Sequence, residues 1–298
     1  MSTTIDNAFV AQFERELHEV FQRQGSRLRD TVRFKPDVVG STTTFQKIGK
    51  GAASTKARHG VITPMNQDHT AVVCTLDDFY AGDYADQLDE AKTNIDERTA
   101  IARGGAMALG RKVDEQITAA LKTTTETAVT WTETSQAAIR NSLINMVEAL
   151  FANDVMNDGQ VYGLLTPRAW AMALTVEEFS SASFVGIASP LASGPPGGQS
   201  MTPFKEWLGV KWQMHTGLPG TGTATADTFV YHRDAVGYAA ARSAGNIAGR
   251  NAVSADITWH GDRAAHFVNN MMSGGACLID TTGVITGTVD DTATLPTS

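Results

Sequence analysis

The 298-residue chain predicts an α+β fold, on three observations. β-branched runs at 31–39 and 70–76 read as strands, and shorter apolar runs of the same kind recur across the second half. One apolar stripe at helical spacing continues from 84 to 121, too long for a strand. Between the first two runs, residues 49–67 are rich in Gly, Ala, Ser, Lys and Arg and have little to bury, so the chain there reaches away from its own core.

In chain order, Phe9, Phe13, Leu17, Val20 and Phe21 share a helical face, which predicts an amphipathic segment over 6–24 that Gly25 ends. Residues 31–76 then predict a long two-stranded hairpin, marginal by itself in water. The helix over about 84–121 places Leu88, Ile95, Ala102, Ala106, Leu109, Val113, Ile117 and Leu121 at steps of three, four or seven. Gly104, Gly105 and Gly110 inside it each cost about 1 kcal/mol relative to Ala, so they point to close packing of another backbone or to a bend. Ile139, Leu143, Val147 and Leu150 predict a core helix ending near 158–159. Residues 161–165 read as a buried strand, after which Thr166 supplies a helix cap and Pro167 the first helical position. The Gly- and Pro-crowded stretch 189–201 is a loop facing solvent or a neighbouring chain. Strands follow at 207–214, 228–232 and 257–259, and 266–272 leads into a strand-turn-strand at 276–280 and 284–288.

The formal net charge of -8 argues against a surface built to grip nucleic acid, which needs Lys and Arg to displace counterions from phosphates. The charges are also unevenly placed. From Arg23 to Arg58 stand nine basic residues (Arg23, Arg27, Arg29, Arg33, Lys35, Lys47, Lys50, Lys56, Arg58) against Asp30 and Asp37, a net of +7. From Asp68 to Glu97 stand nine acids, among them Asp77, Asp78, Asp83 and Asp86, against Lys92, a net of -8. Two solvated faces would explain this, because exposed ion pairs contribute only about 0 to 1 kcal/mol each. So would a basic hairpin landing on the acidic region of the next copy, a heterologous contact that closes into rings or shells. The two cysteines, Cys74 and Cys277, sit in apolar runs and read as buried free thiols rather than a disulfide. The first residues lack a secretory pattern and no apolar run approaches the ~20 residues of a membrane span, so a soluble protein made in a reducing cytoplasm is expected.

Motifs for chemistry fail one after another. Lys47-Ile48-Gly49-Lys50-Gly51 has a phosphate loop's composition, but the earlier glycine falls on Thr44 and no Ser or Thr follows the lysine. His18-Glu19 lacks a second histidine four positions on, and the seven histidines are scattered. No Gly-x-Ser-x-Gly elbow occurs. The aspartates at 77, 78, 83 and 86 keep one alternative alive, a soluble enzyme with a carboxylate site around Asp78. No catalytic, metal or cofactor-binding residue is expected otherwise.

The order of these elements resembles the HK97-like capsid fold of tailed bacteriophages, from end to end. Leu164-Leu165-Thr166-Pro167-Arg168-Ala169-Trp170 resembles the strand-to-helix step of one subgroup. Trp207-Leu208-Gly209-Val210-Lys211-Trp212, His215-Thr216-Gly217-Leu218-Pro219 and His232-Arg233-Asp234-Ala235-Val236-Gly237 resemble its later strands. The resemblance implies an N-terminal arm (1–30), an extended E-loop hairpin (31–76), a peripheral domain with a long spine helix (77–150), an axial domain (151–258) and a return to the peripheral domain (259–298). It further implies a major capsid protein that self-assembles into hexamers and pentamers of an icosahedral head around double-stranded DNA, without sequence-specific DNA contacts, membrane contact or cofactor. Its partners would be copies of itself, a separate scaffolding protein and a portal, and assembly would take place in the bacterial cytoplasm. The intersubunit contacts expected are Arg23, Arg27, Arg29, Arg33, Lys47, Lys50, Lys56 and Arg58 against Asp77, Asp78, Asp83 and Asp86. The loop Gly194, Pro195, Pro196, Gly197 and Gly198 is expected at the capsomer axis. Some relatives crosslink through a lysine of the E-loop; Lys47, Lys50 and Lys56 are placed for it, with no partner signature. An encapsulin-type compartment shell shares the fold and is the other alternative.

Overall fold

The computed structural model describes residues 25–88, 97–155, 158–180, 205–242 and 253–296, with side chains from 256 onward in the last stretch. The segment expected at 6–24, with Arg23, and the loop 189–201, with Gly194 to Gly198, lie outside the described residues. The strands are β1 (Arg33–Val38), β2 (Thr42–Ile48), β3 (His69–Thr75), β4 (Asp77–Asp86), β5 (Val129–Thr130), β6 (Val161–Leu165), β7 (Lys205–Trp207), β8 (Val210–Met214), β9 (Ala226–His232), β10 (Val236–Ala241), β11 (Val253–His260), β12 (Ala265–Leu278) and β13 (Val284–Val289). The helices are α1 (Glu97–Lys122), α2 (Gln136–Ala152), α3 (Pro167–Leu174) and α4 (Glu177–Ser180), so the class is α+β as the patterning predicts. The described residues divide into two compact units, one of 78–88, 97–111 and 253–273, the other of 26–77, 112–155, 158–180, 205–242 and 274–296. The division cuts α1 near Arg111.

In the first unit β11 and β12 form an antiparallel hairpin from Val253↔Met272 to His260↔Ala265, and β4 also pairs with β12. The long helix was expected from about 84; Tyr84 to Asp86 are strand, Gln87 and Leu88 are helical, residues 89–96 lie outside the described residues, and α1 is described from Glu97 to Lys122. Acids are poor strand formers, and four of them mask this strand. Aromatic packing holds it: the Tyr84 ring centroid lies 4.7 Å from that of Phe267, and the Arg263 guanidinium sits 4.6 Å above the Tyr84 ring. Gly105 of α1 meets the first of the two expectations for its helix glycines. A Cβ there would overlap Asn270 Nδ2 and lie 2.9 Å from the Ala81 carbonyl oxygen, so the helix backbone lies directly on the strands. Asn270, buried, donates to that same oxygen at 3.2 Å.

In the second unit β1 runs parallel to β10, and β10 pairs antiparallel with the last part of β12. A six-stranded sheet in the order β5-β13-β9-β6-β8-β7 carries the main core, where Ile139, Leu143 and Leu150 of α2 and Ala169 and Met172 of α3 pack on Val161, Leu165, Trp212 and Val230. Local signals set the helix ends. Ser135 Oγ accepts from the Ala138 N–H at 3.2 Å, and Thr166 Oγ1 accepts from the Ala169 N–H at 3.1 Å with Pro167 in the first turn. Strand β10 (Val-Gly-Tyr-Ala-Ala-Ala) carries little β propensity and is identified only by its ladder partners. Residues 266–272 and 276–280, two elements in the sequence pattern, merge into the single strand β12, which ends at Leu278.

Candidate functional site

The β2–β3 hairpin pairs from Thr42↔Thr75 to Ile48↔His69. Its root is buried. Phe45 and Cys74 pack with Val38, Leu76, Ala239 and Ile279, and the Phe45 ring lies so close over Gly237 that a Cβ there would come within 2.8 Å of it. Beyond the root, no residue between Phe45 and Cys74 is buried. Val61 is 93% exposed, Ile62 69% and Met65 51%. Holding three large apolar side chains in water stabilises nothing in the single chain, and such surface marks contact with something else.

The predicted cations divide into two groups. At the root, Lys47 pairs with Asp280 at 2.8 Å and Lys50 with Asp154 at 2.9 Å, within the same chain. Arg33 lies 5.8 Å and Lys35 5.9 Å from the Phe45 ring centroid, lining with Thr44 and Gln46 a shallow cavity of about 360 Å³. The Arg27 side chain is exposed, and the Arg29 guanidinium lies 5.5 Å over Phe34. At the tip, Lys56 and Arg58 are exposed and, among the described residues, have no ion-pair partner. Of the predicted acids, Asp77, Asp78 and Asp83 are exposed and Asp86 half-buried along β4. Strand alternation puts Asp78 and Asp86 on the same face as Tyr80 and Tyr84, which are 68% and 38% exposed. Asp83 and Asp86 accept from the backbone N–H groups of Tyr84 and Leu88, at 2.8 and 2.7 Å.

Two anchors escaped the sequence reading. Asp154 and Asp280 steady the hairpin root from distant chain positions that no local pattern links to it. Lys50 holds the exposed Asp154 carboxyl below its ordinary pKa. Burial works to raise Asp280, but hydrogen bonds from Lys47 and Thr282 hold it below the ordinary value. The other anchor fixes the chain just before β1. Asp114 of α1, fully buried, accepts from Ser26 Oγ at 2.6 Å, from the Leu28 N–H at 3.1 Å and from His215 Nε2 at 3.1 Å. The His215 Nδ1 accepts from the Gly217 N–H at 3.1 Å, which leaves the ring proton on Nε2, facing the carboxylate. Among the described residues no group of three or more His, Cys, Asp or Glu could hold a metal ion, and no helix is long and apolar enough to cross a membrane.

The hairpin presents an apolar, cationic tip, and comparison with known proteins bears on its role directly. The family model described as phage capsid protein matches residues 5–291. The chain belongs to the phage capsid protein family. It is therefore a structural capsid protein and a component of the virion, and nothing favours the enzyme or compartment-shell alternatives. No curated protein matches this capsid protein. Solved structures match its fold across nearly the whole chain. A chain of Mycobacterium phage Che8 is similar at 15% identity and TM-score 0.70, covering 97% of this chain and 99% of that one. The capsid of Ralstonia phage GP4 is similar at 13% identity and TM-score 0.68, with complete coverage of both chains. The capsid of Cyanophage P-SCSP1u is similar at 15% identity and TM-score 0.70, covering 97% of this chain and 95% of that one. At such identities the likeness carries the fold, and the fold is the capsid fold expected from the order of elements.

Proposed function

We propose that this capsid protein assembles as hexamers and pentamers into an icosahedral head around double-stranded DNA, with the hairpin tip of each copy resting on β4 of its neighbour. The observation that carries this reading is the run between Phe45 and Cys74 without a buried residue, with Lys56, Arg58, Val61, Ile62 and Met65 at its tip. The root cations Lys47 and Lys50 are engaged within the chain, so Lys56 and Arg58 are the ones free to meet Asp77, Asp78, Asp83 and Asp86, with Tyr80 and Tyr84 offering apolar area beside Asp78 and Asp86. Arg27, Arg29 and Arg33 extend the basic side of this contact. A scaffolding protein guides assembly in the bacterial cytoplasm, a portal fills one vertex, and DNA is enclosed without sequence-specific contacts. The net charge of -8 suits a wall that holds DNA without binding it.

The test is the double variant Lys56→Glu with Arg58→Glu. Both side chains are exposed, so the subunit should fold with wild-type stability while shells vanish from negative-stain micrographs and from sedimentation profiles. Normal shells from the folded double variant would refute the docking of the tip on acid.

A further inference from the structure

The two cysteines are separated by about two hundred positions of sequence and meet at the hairpin root. Cys74 lies on β3 opposite Thr43, and Cys277 lies on β12 opposite Gly237. Cys74 is a member of the buried cluster that includes Phe45, Leu76 and Ile279, and Cys277 packs against that cluster from a half-buried position. The backbones make this meeting possible: a Cβ on Gly275 would overlap the Thr75 carbonyl oxygen, so β3 and β12 touch where Thr75, one residue past Cys74, meets Gly275, two residues before Cys277.

We propose that Cys74 and Cys277 are an oxidisable pair that closes as a disulfide and fastens the hairpin root to β12 when the chain leaves a reducing environment. Both are free thiols in the structure, the state expected where the cytoplasm keeps them reduced. Their environments divide the labour. The neighbouring Cys277 lowers the Cys74 thiol, against the opposing effect of burial, while Cys277 is raised by Cys74 and by burial. Cys74 is thus the nucleophile and Cys277 holds the shared proton. The oxidant class is a peroxide, small enough to pass the half-buried Cys277. The Cys74 thiolate attacks one oxygen of hydrogen peroxide, the O–O bond breaks, and the departing hydroxide takes a proton and leaves as water, with Cys74 as the sulfenic acid. The Cys277 sulfur then attacks the Cys74 sulfur, the S–O bond breaks, and hydroxide leaves with the Cys277 proton as a second water. Two thiols lose two electrons and the peroxide gains them. This step depends on the fold of a single chain and stands whether or not the hairpin tip docks on β4 of a neighbour.

The experiment treats the full-length reduced protein with hydrogen peroxide, titrates thiols after denaturation, and maps an unreduced digest by mass spectrometry. The expected result is loss of both thiols per chain, a Cys74–Cys277 linked peptide, and a faster-migrating monomer band on a non-reducing gel that reductant reverses. Hydrogen exchange at β2 and β3 should slow in the oxidised form. The variant Cys277→Ser, at the half-exposed position, should retain its fold and give no fast band. The proposal is overturned if both thiols survive, if oxidation stops at one cysteine, or if disulfides join different chains. The linked peptide is sought in the wild-type chain, so the test does not depend on how well a variant folds.

Discussion

At the scale of residues, the demanding site is Asp114. Burial works to raise its pKa, but the hydrogen bonds from His215, Ser26 and the Leu28 N–H outweigh that effect and hold the carboxyl below its ordinary value. The folded chain therefore binds this proton less readily than the unfolded chain. The stabilisation is complete above the unfolded carboxyl pKa of about 4 and is lost as pH falls through the lower native value. Replacing Asp114 by Asn leaves an amide where a carboxylate served several donors, and leaving buried donors without their acceptor costs about 1 to 3 kcal/mol. Urea unfolding at neutral pH should show that loss, together with easier proteolysis beside Ser26. Between about pH 5 and pH 3 the variant should also lose less stability than the wild type. Equal pH slopes for the two proteins would remove Asp114 from the account. Nothing in the sequence announces this site, because its partners lie on separate elements and only the fold brings them to one carboxylate.

At the scale of elements, what can be read in advance follows what acts locally. Thr166 and Pro167 give away the start of α3 because cap and proline are adjacent in sequence, and the apolar stripe reveals α1 from Ala102 to Leu121. Strand β4 stays hidden because its stabilising partners, Phe267 and Arg263, are far along the chain while its own acids argue against a strand. Likewise β10 has only one valine and one tyrosine among Ala and Gly to show for itself. The hairpin was legible in part: a segment with nothing to bury marked its tip without a distant partner, but the run 31–39 expected as its first strand pairs with β10, and β2 takes that place opposite β3. The helix glycines were legible as a pair of alternatives, and they make a sharp comparison. At Gly104 a Cβ would meet nothing within 4 Å, so Gly104→Ala should gain about 0.5 to 1 kcal/mol from helix propensity. At Gly105 the same methyl overlaps Asn270 and crowds the Ala81 carbonyl oxygen, so Gly105→Ala should lose about 1 to 3 kcal/mol. Thermal unfolding of the two variants side by side checks the pair, and equal shifts would mean that α1 does not press on the strands at Gly105.

At the scale of the whole molecule, the tip combines two forces that respond differently to solution conditions. Lys56 and Arg58 act through charge, which salt screens over about 10 Å at 0.1 M ionic strength. Val61 and Ile62 act through apolar area, each contributing about 1.5 to 3 kcal/mol if an assembly buries it fully, and moderate salt does not weaken that term. Shell formation by the wild type should therefore need a higher protein concentration as salt rises, while a salt-resistant remainder persists. Val61→Ser with Ile62→Ser should raise the threshold at every ionic strength and leave the salt dependence unchanged. Lys56→Glu with Arg58→Glu should abolish shells at low salt, where the reversed charges repel the neighbour's aspartates, and recover part of the assembly at high salt, where that repulsion is screened. Light scattering across a salt series resolves the three curves. A wild-type threshold indifferent to salt would separate the basic hairpin from the acidic strand and leave the apolar tip as the whole of the contact.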